Sequence, residues 1–255
     1  MTNIIIHCDD FGRSPLMSKN ILKCIKEGNV NQVSVMVDFV DDKIHQELIA
    51  TDIETRLHLN LTENKNFIFD GKSKKLSFLN LIFLKKNRKY IYEEIDKQII
   101  EYSRLYGKKK SIRIDGHQHV HMIPWIYNYL INHKKFEIEE IRYPVESFNL
   151  VKFKYLINLK FLRNLLAWSL LCILSIFNKK KSNIVFYGML YSGIYNKEIF
   201  LYHTKKLKSN KNKEVLIHAG YTDNSEFDLF SKKDFKFYSS QKRRIENSLA
   251  YLDLS

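Results

Sequence analysis

The sequence predicts an α/β fold in which short β-strands alternate with helices around a parallel sheet. Three observations lead to this prediction. Short apolar, β-branched runs recur along the chain, and longer segments with helical periodicity lie between several of them. The chain has 255 residues with 45% hydrophobic content, without internal repeats or a Gly/Ser/Pro linker, so one large domain is the simplest account. The sheet is expected to be either open or closed into a barrel.

Six runs rich in β-branched and aromatic residues predict the strands. They cover residues 3–8, 32–37, 56–61, 111–115, 140–143 and 214–218.

Helix signals fall between these runs. Ser14 is placed to cap a helix that has Pro15 at its first position and ends near Gly28. A second periodic stretch, residues 90–106, stops at Gly107, and Pro124 opens a third that extends to about residue 133. Ligand sites in both kinds of parallel sheet lie at the carboxyl ends of strands.

The composition is strongly basic. Lys and Arg number 42 and Asp and Glu number 28, which leaves a net charge of +14 and a pI near 9.5. Such a charge suits nucleic acid, an anionic membrane or a phosphorylated substrate. The excess is spread over short lysine runs such as 108–110, 179–181 and 232–233, without a basic stripe interleaved with aromatic residues. A solvated surface is therefore the preferred interpretation, and no nucleic-acid partner is expected.

The three cysteines lack C-x-x-C spacing and are odd in number. This pattern argues against a disulfide framework and against a cysteine zinc site, and it favours a reducing compartment. The amino terminus lacks a basic region followed by an apolar one, so we expect no cleaved signal and a cytoplasmic protein.

Polar groups gather where predicted strands end. Asp9 and Asp10 follow the first strand, His58 lies in the third, "DGHQHVH" (115–121) follows the fourth, and His218 ends a late one. A buried carboxylate pair is costly without a cation, a proton or several donors. Two imidazoles and a carboxylate form an open site for a divalent ion. The alternatives are an ordinary Asp-Asp-x-Gly turn and a surface histidine tract that scavenges metal.

The motifs "HCDDFG", "LHLNLTE", "DGHQHVHM" and "HAGY", taken together and in this order, resemble the YdjC-like carbohydrate deacetylases. This family includes chitooligosaccharide and hopanoid-associated deacetylases, and the resemblance covers residues 3 to about 222. It implies a single-domain (β/α) barrel, irregular and TIM-like, over residues 1–255. It also implies hydrolytic removal of an N-acetyl group from an amino sugar.

The resemblance further assigns roles to residues. It implies that Asp9 is the general base and that His218 is a candidate acid. One divalent ion, magnesium or zinc, would be held by Asp10, His58 and His117. Arg142, in "IRYPVE", is implied as a substrate contact. His119 and His121 are the other substrate-side groups and remain alternative proton donors. The chain departs from the family pattern at His7-Cys8, at Gly116 and Gln118, and at Ala219, where the family usually has proline.

An apolar helical segment at about 155–178 has no charged residue between Arg163 and Lys179. It falls short of the roughly 20 apolar residues that span a bilayer. It is therefore interpreted either as a helix packed on the barrel or as a helix in the membrane interface, with 179–181 on anionic headgroups. The second interpretation suits a lipid-linked amino sugar and peripheral association of 155–181 with the inner face of the membrane.

Two other functions remain open. A metal phosphoesterase on a similar barrel is favoured by the basic charge, although one Asp and two His are few ligands for a two-metal cluster. A non-catalytic protein that binds a membrane surface or nucleic acid is the other, and the intact Asp9-Asp10 pair argues against it. A homodimer is also left open.

Overall fold

The computed structural model describes residues 3–63, 65–69, 71–107, 111–178, 182–207 and 210–254. The lysine runs 108–110 and 179–181 lie outside these residues. The described part contains the strands β1 (Ile4–Phe11), β2 (Gln32–Val35), β3 (Glu54–Leu59), β4 (Phe67–Phe69), β5 (Lys72–Lys74), β6 (Ser111–Gly116), β7 (Glu137–Ile141), β8 (Val185–Tyr187) and β9 (Lys213–Ile217).

Seven of these strands form one parallel sheet in the order β7-β6-β3-β2-β1-β9-β8, and β4 and β5 form a separate antiparallel hairpin. Strand β1 pairs with β2 on one side and with β9 on the other. The α/β class and the parallel sheet are therefore confirmed. The sheet curls into a half-barrel, and within the described part β7 and β8 each pair with one neighbour, so a closed TIM-like barrel is not formed there.

Helices cover the sheet between successive strands. They are α1 (Pro15–Glu27), α2 (Asp42–Ile49), α3 (Phe78–Ile82), α4 (Arg88–Tyr106), α5 (Pro124–Ile131), α6 (Leu159–Ser175), α7 (Lys197–Leu201), α8 (Lys232–Tyr238) and α9 (Gln241–Leu249). Helix α1 begins as its sequence predicts, because the side chain of Ser14 accepts a hydrogen bond from the backbone of Met17 and Pro15 occupies the first turn.

The strand β8 and the β4–β5 hairpin were not predicted from the sequence. Each of these strands has three residues, which is too short for a periodic signal. Strand β7 begins three residues before the predicted run 140–143 and ends at Ile141, so Arg142 directly follows a strand.

The apolar segment forms a 3₁₀ turn (Phe153–Ile157) and the helix α6. Two side chains of α6 and one just beyond it, Asn178, tie the helix to loops that follow strand ends. Asn164 donates to the carbonyl of Leu190, beyond β8 (3.0 Å), and the Trp168 indole donates to the carbonyl of Glu146, beyond β7 (2.9 Å). Asn178 donates to the carbonyl of Met122, beyond β6 (3.1 Å). Helix α6 therefore lies along the carboxyl edge of the sheet. Among the described residues, no helix is long and apolar enough to cross a membrane.

Glu146 joins the loops after β7 and β8 from a buried position. Its carboxylate accepts a hydrogen bond from the backbone of Leu190 (2.6 Å). Burial raises the pKa of Glu146 to about 7, although backbone N–H groups of Leu190 and Gly188 oppose this rise.

The Glu146→Gln variant should change how stability depends on pH. In the wild type, between pH 4.5 and about pH 7, the carboxyl group of Glu146 binds more protons in the native state than in the unfolded state. The free energy of unfolding therefore falls as the pH rises through this window. By about pH 8 the wild type should have lost on the order of 3 kcal/mol of its free energy of unfolding relative to the variant. Urea unfolding of both proteins at about pH 5 and about pH 8 measures it. Parallel stability profiles would contradict the assignment.

Candidate active site

The two adjacent aspartates lie where β1 leaves the regular pleat. The register of β1 against β2 shifts between Cys8 and Phe11, and Asp10 has a left-handed backbone with φ of 69°. Neighbouring residues of a regular strand point to opposite faces, and a bulge re-aims them. The irregularity lets the buried side chains of Asp9 and Asp10 enter neighbouring parts of one polar cluster at the strand end.

Asp10, His58 and His117 come together as the sequence predicted. One carboxylate oxygen of Asp10 lies 3.5 Å from His58 Nε2 and 3.4 Å from His117 Nδ1, and the three facing atoms lie within 4.8 Å of one another. Ligand atoms about 2.1 Å from an ion in tetrahedral geometry lie about 3.4 Å apart. The spacing therefore fits a shared divalent ion.

The remaining polar atoms of these three side chains are held by further residues. His58 Nδ1 lies 2.6 Å from Asp115 Oδ1, and His117 Nε2 lies 3.0 Å from Glu63 Oε2. The second oxygen of Asp10 accepts from Arg243 (3.0 Å). Carboxylates of this kind fix the tautomer and the orientation of metal-binding histidines. Each imidazole thus presents its free nitrogen toward the centre.

The electrostatics of the centre call for positive charge. Burial alone would lower the pKa of both imidazoles, but Asp9 and Asp115 raise the pKa of His58 to about 10, and Asp10 and Glu63 raise that of His117 to about 9. Burial would raise the pKa of Asp10, but the two imidazoles that face its carboxylate, together with Arg243, hold it well below its usual range. A field that favours protons on both rings also favours a dication between them, so the donor set fits a metal ion.

Asp9 is held by an arginine beside this centre. Arg142 Nη1 lies 2.9 and 3.0 Å from the two oxygens of Asp9, and the same nitrogen contacts Asp115 at 2.7 Å. Arg142 Nε donates to Glu214 at 2.7 Å. The side chain of Arg142 is only 1% exposed. The residue that was predicted to contact substrate thus lies beneath the surface, with three carboxylates around its guanidinium.

A second group of potential ligands consists of His7, Asp9 and Asp115. Here Arg142 already neutralises both carboxylates. His7 Nε2 lies 2.6 Å from the hydroxyl of Ser34, which in turn donates to Asp115. Burial, together with the charge of Arg142, lowers the pKa of His7 well below its usual range. This group is therefore satisfied internally and is a poor site for a second ion.

The remaining predicted histidines lie in different surroundings. His218 is partly exposed at the end of β9, and its Nδ1 and backbone N–H lie 3.2 and 2.8 Å from Glu246 Oε2. His121 is fully buried, with Nε2 3.0 Å from the carbonyl of Arg142. His119 is partly buried with a left-handed backbone, and its Nδ1 has no hydrogen-bond partner in the described structure. Of these three, His218 and His119 have surface available to a substrate.

Sequence reasoning did not assign roles to several residues that hold this cluster. Asp115 and Glu63 lie within the quoted motifs. Their occurrence in the same motifs as histidines was the feature of the sequence that could have indicated their role. Arg243 and Glu246 lie three residues apart on one buried face of α9, far along the chain from their partners. The feature of the sequence that could have indicated their role is that both charged residues share a helix face with Leu249, which is also buried.

The family model for YdjC-like protein matches residues 3–252. The chain belongs to the YdjC-like family. Relatives named carbohydrate deacetylase are 28% identical over 138 residues in Mus musculus and over 136 residues in Danio rerio. Each alignment covers 48% of this chain, with 44% of the mouse protein and 42% of the fish protein. The matched part of this YdjC-like chain thus spans less than half the length of these curated relatives.

A solved structure supports the fold. It is a crystal structure of a protein from Enterococcus faecalis V583 named for a proposed role in cellobiose-phosphate cleavage. The match has a TM-score of 0.55 and 15% identity, and it covers 99% of this chain and 97% of the other. At this identity the likeness concerns the fold alone.

Replacing Asp10 by Asn should weaken binding of a divalent ion by more than about 100-fold. Loss of a residue that only supports a metal ligand already costs up to about 100-fold in metal affinity, and loss of a ligand itself should cost more. Asparagine tolerates the left-handed backbone but lacks the charge. Isothermal titration with Zn²⁺ and with Mg²⁺ measures the change. Asp52→Asn is the matched control, because Asp52 also has a left-handed backbone (φ 54°) but is exposed. Equal affinity in both variants would exclude Asp10 as a ligand.

Proposed function

We propose that this protein is a metal-dependent hydrolase that removes the N-acetyl group of an amino sugar. The observation that carries the proposal is the convergence of Asp10, His58 and His117 at the carboxyl edge of the sheet, with Asp9 beside them. Membership of the YdjC-like family and relatives named carbohydrate deacetylase support the choice of reaction.

Asp10, His58 and His117 would hold the divalent ion. A bound divalent ion polarises an amide carbonyl and acidifies water, which is the activation that an unreactive amide needs. Asp115 and Glu63 keep the two imidazoles oriented for this task. Magnesium and zinc both remain candidates for the ion.

Asp9 serves as the general base in this proposal. Its carboxylate adjoins the proposed ligand Asp10 in the chain, and Arg142 fixes it by contacts to both oxygens. A base must hold one position to accept a proton from water in the transition state. We therefore assign Arg142 a positioning role toward Asp9 instead of contact with the sugar.

The leaving amine needs a proton, and His218 is the proposed donor. Its side chain is partly exposed, and Glu246 orients the ring through Nδ1, which leaves Nε2 for the substrate. His119 remains the alternative, because it too has exposed surface. The buried His121 is instead assigned to support of the Arg142 backbone.

A phosphoesterase remains the second candidate, favoured by the charge of +14. Incubation with an N-acetylglucosamine oligomer and with a generic phosphate ester, each with and without a chelator, separates the reactions. The deacetylase proposal requires acetate release that the chelator abolishes. Phosphate release alone, or neither product, contradicts it. The cytoplasmic location and the homodimer stay predictions.

The Asp9→Asn variant should lose acetate release by about 100-fold or more, which is the usual contribution of a general base. Its affinity for Zn²⁺ should stay within a few-fold of wild type, because Asp9 is not a proposed ligand. Initial rates and isothermal titration measure the two quantities, with Asp52→Asn as the exposed control. Turnover near the wild-type rate would remove Asp9 from this role.

Replacing His218 by Gln should lower kcat by about 100-fold or more while leaving metal affinity intact, because a proton donor acts on the leaving group. His119→Gln should change kcat only a few-fold. Steady-state kinetics of the two variants on the same oligomer decide between them. The reverse pattern would make His119 the acid.

A further inference from the structure

Exposed apolar surface is concentrated on one part of the molecule. Ten of the twenty exposed large apolar side chains in the described residues lie between β7 and β8. On α6 and just beyond it they recur at helical spacing along one stripe. We call this stripe, with the neighbouring exposed residues of the preceding 3₁₀ turn, the apolar face. Its members are Phe153, Ile157, Leu159, Leu162, Leu166, Ile173 and Phe177.

The apolar face is fully formed and has no covering element in the described part. Leu166 is 73% exposed and Ile173 is 56% exposed, whereas Phe161, Leu171 and Leu174 on the inner side of α6 are buried. Contiguous apolar surface of this kind marks an interaction site. Because α6 lies along the carboxyl edge of the sheet, the apolar face borders the edge that carries the candidate active site.

The charge of this part of the chain is one-sided. Residues 147–197 contain eight basic residues and no Asp or Glu, so this stretch supplies more than half of the net charge of +14. Arg163 is exposed on α6 itself. Lys152, which precedes the 3₁₀ turn, and Lys154 within it pair with Glu198, just beyond the stretch. Positive charge around an apolar helix face complements a bilayer that carries anionic lipids.

We propose that the apolar face docks on an anionic lipid bilayer, with α6 lying in the plane of the membrane interface. A second copy of the chain fits less well, because a two-fold contact would bring two copies of this predominantly basic stretch together. Nucleic acid fits less well again, because aliphatic side chains dominate the face. Docking in this way turns the carboxyl edge of the sheet toward the bilayer. The proposal does not rest on the deacetylase activity.

The full chain should therefore pellet with phosphatidylcholine vesicles that contain phosphatidylserine, and less with phosphatidylcholine alone. High salt should weaken this binding. The double variant Leu166→Glu with Ile173→Glu should reduce partitioning by at least about tenfold, because it places charge where the face enters the bilayer. Both side chains are exposed, so the fold should persist, and circular dichroism checks this.

The control is Ile49→Glu with Ile100→Glu, which makes the same change at exposed positions of α2 and α4. This variant should bind vesicles as the wild type does. Four outcomes would overturn the proposal: no binding of the wild type to either vesicle, equal binding to both vesicles, equal loss in both variants, or full binding by the α6 variant. Light scattering tests a fifth outcome, in which the wild type is a dimer and the α6 variant is a monomer. This result would also overturn the proposal, because a second copy of the chain would then cover the apolar face.

Discussion

Buried carboxylates at the carboxyl edge of the sheet require positive charge beside them, and the rest of the structure depends on how this is met. An unpaired buried charge costs about 3 to 5 kcal/mol, so each carboxylate needs a partner. Two buried arginines supply much of the positive charge that these carboxylates need, because Arg142 binds Asp9 and Arg243 binds Asp10. The two imidazoles face Asp10 at the place where the proposed dication would supply the charge that the arginines do not. The same network therefore stabilises the fold and aims the side chains of the candidate site.

Much of the sheet could be predicted from sequence, because its central strands are apolar runs bounded by turn residues. Strands β1, β2 and β3 and helix α1 follow local signals that need no knowledge of the rest of the chain. The short strand β8 and the hairpin lack such signals, since three residues form a strand only where neighbours supply the hydrogen bonds. The curl of the sheet is equally a property of the assembled strands. Local sequence could therefore suggest a barrel but not how far it closes.

The candidate site divides in the same way. The aspartates and histidines at strand ends suggested a metal site, and the resemblance to the YdjC-like family singled out Asp10, His58 and His117 among them. The contacts that hold the aspartates could not be proposed from the sequence, since Arg142 lies 133 residues from Asp9 along the chain and Arg243 lies 233 residues from Asp10. The family resemblance of "IRYPVE" implied a substrate contact at Arg142, and the fold encloses its guanidinium among three carboxylates. Exposure, which decides between binding a substrate and positioning a neighbour, is a property of packing alone.

The distance of Arg243 from Asp10 along the chain has a consequence for synthesis. The arginine and Glu246 both lie on α9. While the ribosome is still making this helix, Asp10 has no guanidinium and His218 has no carboxylate to orient it. Asp10 thus waits for the synthesis of 233 further residues before Arg243 can pair with it. A chain that stops before α9 would contain the early strands but lack both contacts that this helix makes with the candidate site.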